Sequence, residues 1–149
     1  PFETGYAGMD AHGPFDSISG TLMSIPFCIA LTLVRGTPSM AAMTTYDDAE
    51  VNALESRIEL VADASVPRLC CVIEAQTADG ERIVQDQRMT TDDFAYDRAT
   101  VSTLVRRIGG ETGVPSRAYD LVEAFAEDPG RAGIRSVLDA FAMLPRAAA

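Results

Sequence analysis

His12 is the only imidazole in the 149-residue chain, so any histidine-based proton transfer must use it. It lies in a glycine-rich loop just before the most apolar stretch of the sequence, a position that suits an active site. No second His or Cys lies near it to form a metal site. His12 is therefore the catalytic candidate, and the alternative is a solvated or backbone-bonded loop residue.

Two acidic pairs, Asp47-Asp48 and Asp92-Asp93, resemble the paired carboxylates of acid–base enzymes. Each pair directly precedes a helical pattern, so helix capping is the favoured interpretation. Ser24 has no base beside it and is a poor nucleophile, but a hydroxyl near a helix start is suited to binding a substrate carboxylate. The residues alone therefore contain no persuasive catalytic set.

The charge balance excludes several classes of function. Twenty-two acidic side chains stand against 12 basic ones, a net charge of −10, and every basic residue is Arg. Without a basic cluster, such a chain is not expected to bind nucleic acid or an anionic membrane. Because Lys is absent, no side chain here can form a Schiff base.

The three cysteines predict neither a metal site nor a disulfide framework. Cys70 and Cys71 are adjacent, so in a strand they point to opposite faces, and Cys28 lies far away in the apolar stretch. We expect reduced, buried thiols in a cytoplasmic protein, with no metal and no cofactor.

The run Leu22–Val34 is the stretch around which the other elements are expected to pack. Only Ser24, Cys28 and Thr32 carry polar side-chain atoms within it, and their spacing of four places them on one stripe of a helix. The helix expected at about 21–35 is apolar on its other sides and needs covering nearly all round. With about 13 residues, the apolar run is too short for a bilayer, which needs about 20.

Two residues bound this helix. Pro26 requires either that regular helix begin nearer Ser24 or that the helix be kinked. Gly36 is expected to end it.

Local patterns predict the other elements. The first is a helix capped by Asp47 or Asp48 and running to about Ser56, followed by a strand at Arg57–Asp63 and a hairpin over 68–87 that turns at Asp79-Gly80. A helix at about Tyr96–Ile108 follows, capped by Thr91-Asp92-Asp93 and ended by Gly109-Gly110. The last two are a helix from Pro115 to about Asp128 and a helix at about Arg131–Met143. The apolar residues expected on the inner faces of the last three helices are Val101, Leu104, Val105, Ile108, Leu121, Val122, Phe125, Ile134, Val137, Leu138 and Phe141. Strands and helices in separate runs predict an α+β fold, one domain over 1–149 whose central helix packs on the antiparallel hairpin.

Several motifs around the apolar stretch resemble the C-terminal domain of the MmgE/PrpD family. They are Tyr6-Ala-Gly8, Gly13-Pro14-Phe15, the run Met23–Ala30 (MSIPFCIA) and Arg35-Gly36. The family includes 2-methylcitrate dehydratase, cis-aconitate decarboxylase and iminodisuccinate epimerase. The later order of helix, strand, hairpin and helices agrees with the same resemblance.

The resemblance implies an antiparallel sheet packed with helices, a lid domain over a helical domain that carries most acid–base residues. It implies that the chain lacks that helical domain and the lid's first strand. The helical partner would be a separate chain or a missing segment, in a homo- or hetero-oligomer. Ser24, Phe27 and Met23 are then expected to line the substrate site beside His12, and Phe27 lacks the hydroxyl of the Tyr found there in some members.

The function implied is that of the lid half of a lyase or isomerase, a dehydratase, decarboxylase or epimerase of a small carboxylic acid. The isolated chain is expected to be inactive. The alternative is a non-catalytic assembly or small-acid-binding domain that retains the fold. We also expect an exposed apolar face around Phe2, Phe15, Met23 and Phe27, where the helical domain would dock.

Overall fold

The computed structural model describes residues 8–145. Within them the chain forms seven α-helices and one antiparallel pair of strands, so the predicted mixed α+β character is confirmed. The elements are α1 (Ile18–Met23), α2 (Ile25–Arg35), α3 (Met40–Met43), α4 (Ala49–Glu55), β1 (Cys70–Gln76), β2 (Arg82–Arg88), a short 3₁₀ helix (Thr91–Phe94), α5 (Arg98–Glu111), α6 (Ser116–Glu127) and α7 (Pro129–Ala142). The chain divides between Ala95 and Tyr96 into two compact units.

None of the helices in this described part of the chain combines the length and the apolar character needed to cross a bilayer.

One face of α2 forms the core of the first unit. The residues buried there are Phe27, Ala30 and Leu31 of α2, Met43 of α3 and Val51 of α4. Phe15, from the loop before α1, meets Phe27 edge to face, with ring centroids 5.4 Å apart and planes at 78°. Aromatic pairs in this geometry contribute about 0.5–1.5 kcal/mol beyond area burial. The apolar stretch therefore organises this unit through a single face.

Ser24 separates α1 from α2. Its backbone is extended (φ −77°, ψ 110°), and its side-chain oxygen accepts the N–H of Phe27. Pro26 lies in the first turn of α2, where its missing N–H leaves no helical bond unmade. Of the two alternatives for Pro26, the regular helix beginning next to Ser24 is the correct one. Gly36 ends α2 at φ 80°, as predicted.

The opposite face of α2 is open, so the prediction of a helix covered nearly all round is wrong. Leu33 is 67% exposed, and Leu22 at the end of α1 is 56% exposed. The expected close packing of this helix on the hairpin is also not seen, because no Cα of β1 or β2 lies within 8 Å of a Cα of α2, and β1 approaches this face through the Ile73 side chain, across an apolar cleft. The physical reason is that α1, α3 and α4 supply all the helical contacts of α2, and no helix packs on its other face among the described residues.

Residues 57–63 form no strand, so the predicted strand at Arg57–Asp63 is wrong. Ile58 packs against the core, whereas Val61 is 76% exposed. A strand needs a neighbour for its backbone hydrogen bonds, and the sheet among residues 8–145 consists of β1 and β2 alone. Alternation of apolar and polar residues is therefore not enough to form a strand at residues 57–63.

The predicted hairpin is confirmed. Cys70 lies opposite Arg88 and Gln76 opposite Arg82, with Gly80 at φ 89° in the turn. Both faces are largely exposed. One face carries two ion pairs, Glu74 with Arg82 and Asp86 with Arg88. By the register, the uncharged face is formed by Cys71, Ile73, Ala75, Ile83, Gln85 and Gln87. An uncovered hairpin is only marginally stable in water.

In the second unit, α6 packs against both α5 and α7. Asp97 caps α5, and the helix continues through Gly109 and Gly110, so the prediction that this glycine pair ends it is wrong. Gly109 is buried beneath Tyr119 of α6, and a Cβ there would overlap the phenol oxygen. Its role is close approach between two helices rather than helix termination.

Several residues predicted on inner faces of this unit are exposed. They are Val101, Val105 and Ile108 on α5, Val122 on α6, and Ile134, Leu138 and Phe141 on α7. After Gly133, where the backbone of α7 is non-helical (φ 68°, ψ 156°), the more buried positions include Ser136 and Ala140, spaced by four. Small residues permit a closer helix approach than branched ones, and the larger apolar side chains consequently lie on the open side of α7.

We expect Asp48 to stabilise the first unit in a pH-dependent way. Its carboxylate caps α4 and hydrogen-bonds Arg35 at the end of α2, with Arg35 Nε 2.9 Å from Asp48 Oδ2. The Arg35 hydrogen bond lowers the pKa of Asp48 below its ordinary value. A lowered folded-state pKa gives stability that is present above the unfolded-state pKa and is lost as pH falls through the folded-state pKa. Asp48→Asn should therefore reduce stability at pH 7, and the difference from wild type should shrink in acid. Urea unfolding across pH, with Asp47→Asn as control, checks this; equal behaviour of the two variants would contradict it.

Gly109 and Gly110 offer a matched test of the second unit. A Cβ at Gly109 would lie 2.6 Å from Tyr119 Cζ, whereas a Cβ at Gly110 would meet nothing within 4 Å. Gly109→Ala must displace Tyr119, whose ring centre lies 5.4 Å from Arg106 Cζ. The substitution should therefore lower the free energy of unfolding by about 1–3 kcal/mol. Gly110→Ala should raise it by up to about 1 kcal/mol through helix propensity. Chemical denaturation followed by circular dichroism measures both, and stabilisation by Gly109→Ala would contradict the packing.

Candidate functional site

The loop at residues 8–13 is fastened through alternate residues. The carbonyl of Met9 accepts the N–H of Ile25 at 2.9 Å, and the carbonyl of Ala11 accepts the Ser24 hydroxyl at 2.6 Å. The N–H of Gly13 donates to Glu55 Oε1 at 3.2 Å. The start of α2 and the end of α4 thus hold one side of the loop.

The residues between these attachment points, Asp10 and His12, line a cleft of about 590 Å³. Its other lining residues are Ser56, Arg57, Ile58, Glu59 and Leu60. Arg57 has no carboxylate within 4.0 Å among the described residues, whereas Arg35, Arg82, Arg88, Arg98 and Arg106 are all in ion pairs. The cleft therefore combines an imidazole with a guanidinium available to an anion.

His12 is held by a buried carboxylate that sequence analysis missed. Its Nδ1 lies 2.9 Å from Glu55 Oε1, and the two side chains are 43% and 5% exposed. An imidazole whose Nδ1–H is donated to a carboxylate keeps Nε2 for another partner. No sequence pattern joined the two residues, because the loop and the end of α4 meet only in the folded chain. The one available signal was an acidic residue at the C-terminal end of a predicted helix, where a cation is favoured.

Ser24, predicted to bind substrate, is fully buried. Its hydroxyl donates to the Ala11 carbonyl and accepts the N–H of Phe27 at 3.1 Å. Both contacts are internal, so Ser24 acts on the site by holding the loop that carries His12.

Phe27 and Met23, the other two predicted substrate-binding residues, lie in different surroundings. Phe27 is completely buried in the core, so its predicted exposure is wrong; it fills the space enclosed by α3, α4 and Phe15. Met23 is 39% exposed, as expected, and Phe15 is half-buried. Phe2 lies outside the described residues.

Met23 lines a second, apolar cleft of about 340 Å³. The surrounding side chains include Leu22, Ile25, Ile29, Leu33 and, from β1, Ile73. Cys28 also lines it, and burial raises the pKa of its thiol, which disfavours the thiolate needed for nucleophilic chemistry. All three cysteines are free thiols, but their predicted burial is wrong, because Cys28 and Cys70 are half-buried and Cys71 is exposed.

One carboxylate of each acidic pair makes structural hydrogen bonds, and the predicted helix capping is confirmed for Asp48 alone. Asp48 caps α4, while Asp93 accepts the N–H and hydroxyl of Thr90. The Asp92-Asp93 pair lies in the 3₁₀ helix rather than at the start of α5, which Asp97 caps. Within residues 8–145, no three His, Cys, Asp or Glu side chains are grouped to hold a metal ion.

Comparison with known proteins returned no relative. No family model matches the chain, and neither the curated proteins nor the solved structures contain a match.

Ser24→Ala should destabilise the first unit more than Ser17→Ala. Ser24 caps α2 and also binds Ala11 from a buried position, whereas exposed Ser17 makes one capping bond of 3.3 Å at α1. Loss of a helix cap costs about 0.5–2 kcal/mol, and leaving the Ala11 carbonyl unpaired adds to it, so we expect about 2 kcal/mol for Ser24→Ala and at most about 1 for Ser17→Ala. Urea denaturation measures both; equal losses would show that the loop contact adds nothing.

Proposed function

We propose that this chain is the lid half of an MmgE/PrpD-type lyase or isomerase acting on a small carboxylic acid. The observation that carries the proposal is His12, which lines an open polar cleft and whose imidazole is fixed by buried Glu55. A merely solvated loop histidine would not be expected to lie 2.9 Å from a buried carboxylate.

The placement of the motifs behind the resemblance supports the same proposal. Gly13 bonds Glu55, and Phe15 packs on Phe27. The run that begins at Met23 supplies Ser24, which fastens the His12 loop. These segments form one neighbourhood, as expected if they were retained for a common site.

In the proposed chemistry His12 exchanges a proton with the carbon next to a substrate carboxylate. The C–H electron pair then forms a double bond as a β-hydroxyl leaves as water, with its proton supplied by an acid of the helical domain. Alternatively, CO₂ leaves and the carbon is protonated, or the proton returns on the other face. Arg57 is available to bind a substrate carboxylate in the same cleft.

The proposed partner is a helical MmgE/PrpD domain, a separate chain or another part of the polypeptide, within an oligomer. The open face of α2, the apolar cleft at Met23 and the uncovered hairpin are surfaces such a partner would shield from water. Free thiols fit a cytoplasmic location.

A non-catalytic assembly or acid-binding domain is the second candidate. The observation that favours it is that Ser24 and Phe27 both serve the fold, which leaves His12 as the one predicted site residue in the polar cleft.

Activity should appear only when the chain is mixed with a helical MmgE/PrpD domain. We would assay 2-methylcitrate dehydration and cis-aconitate decarboxylation with the chain alone, the helical domain alone and the mixture. His12→Ala should reduce turnover of the mixture by about 10²-fold or more, the usual contribution of a general acid–base group. Asp16→Asn, an exposed carboxylate outside both clefts, is the control and should retain turnover.

Two outcomes would contradict the proposal. Wild-type turnover by the His12→Ala mixture would remove this chain from the chemistry. Binding of the acid by the chain, without turnover in any mixture, would favour the non-catalytic candidate.

A further inference from the structure

Glu55 occupies a position that two physical effects disfavour. It is 3% exposed, and an ionised carboxylate loses hydration when it is buried. It is also the last residue of α4, where the helix dipole repels negative charge. An acidic side chain at such a position requires specific partners.

Those partners converge on one oxygen. Glu55 Oε1 lies 2.9 Å from His12 Nδ1 and accepts the Gly13 N–H at 3.2 Å. The backbone contact fixes the loop next to His12, while the imidazole contact fixes the ring. A carboxylate oxygen accepts hydrogen bonds, so the imidazole nitrogen facing it must carry a proton.

The other charged groups of the cleft do not compete for this ring. Asp10, Arg57 and Glu59 also line the cleft, but among the described residues Glu55 is the carboxylate within 4.0 Å of an imidazole nitrogen. Because Glu55 is buried and His12 is 43% exposed, the ring edge away from Glu55 is the one open to a ligand.

We infer that Glu55 is a positioning residue that keeps the proton of neutral His12 on Nδ1 and leaves Nε2 as the basic nitrogen of the cleft. The catalytic part of the inference, which alone rests on the proposed function, is that Nε2 takes the substrate proton. The ring then carries protons on both nitrogens, and Glu55 balances the new positive charge. When Nε2 releases the proton, to solvent after dehydration or to the substrate carbon in an epimerisation, the starting tautomer is restored.

The wild-type chain itself provides a direct test, because it contains one histidine. Side-chain ¹⁵N NMR at a pH where the imidazole is neutral should show His12 protonated on Nδ1. Glu55→Gln should shift the population toward the Nε2–H form, since an amide can donate to Nδ1 as well as accept from it. Glu59→Gln removes a carboxylate from the same cleft without touching the ring, and should leave the tautomer as in wild type.

These spectra decide the inference without any enzyme assay. An Nε2-protonated ring in the wild-type chain would overturn it, and this holds even if Glu55→Gln fails to fold. An equal response of the Glu55→Gln and Glu59→Gln variants would also overturn it.

Proton transfer at Nε2 is tested in the mixture with the helical domain. Glu55→Gln should lower turnover by at least about 10-fold, and His12→Ala/Glu55→Gln should be no slower than His12→Ala, because residues that act as a unit are non-additive. If Glu55→Gln alone keeps full turnover while the wild-type tautomer is as expected, the positioning stands and the proton transfer at Nε2 is refuted. Absence of turnover in every mixture would refute the proposed function while the NMR result still decides the tautomer.

Discussion

The hydroxyl of Ser24 is the contact on which the arrangement of the first unit depends. Its oxygen accepts the N–H of Phe27 in the first turn of α2, and this bond caps the helix. Its proton is donated to the carbonyl of Ala11, and this bond holds the loop that carries His12. The position of the core helix and the position of the imidazole are therefore linked through a single buried atom. A shift in where α2 begins would move the loop with it.

Local features were the part of the fold that could be predicted from sequence. The Asp79-Gly80 turn with flanking β residues defined the hairpin, and Asp48 and Gly36 marked helix ends because capping depends on a few neighbouring residues. Features that depend on distant partners could not be predicted in this way. Residues 57–63 have the alternation of a strand but no strand beside them. Gly109 lies inside α5, and its missing side chain leaves the space that Tyr119 occupies.

The same distinction between local features and distant partners applies to the candidate site. His12 could be singled out because it is the one imidazole, but its partner Glu55 could not, since no periodicity relates a loop residue to the end of a helix 43 residues later. Ser24 was singled out for its place at a helix start, and the structure gives its hydroxyl internal partners. Phe27 was expected at a surface because of the resemblance, whereas the residues of α3 and α4 that bury it lie outside the motif.

The hairpin carries a consequence for how this chain behaves at high concentration. Its two outer edges offer unpaired backbone groups, and its two faces differ, one bearing two ion pairs and the other Ile73, Ala75 and Ile83 without a charge. Edge strands with an uncharged face are the usual starting points of intermolecular sheet growth, while charged side chains on a strand oppose it. Self-association of the isolated chain would therefore add strands at these edges and stack the uncharged faces against one another. The solubility of the protein then depends on what covers the uncharged face.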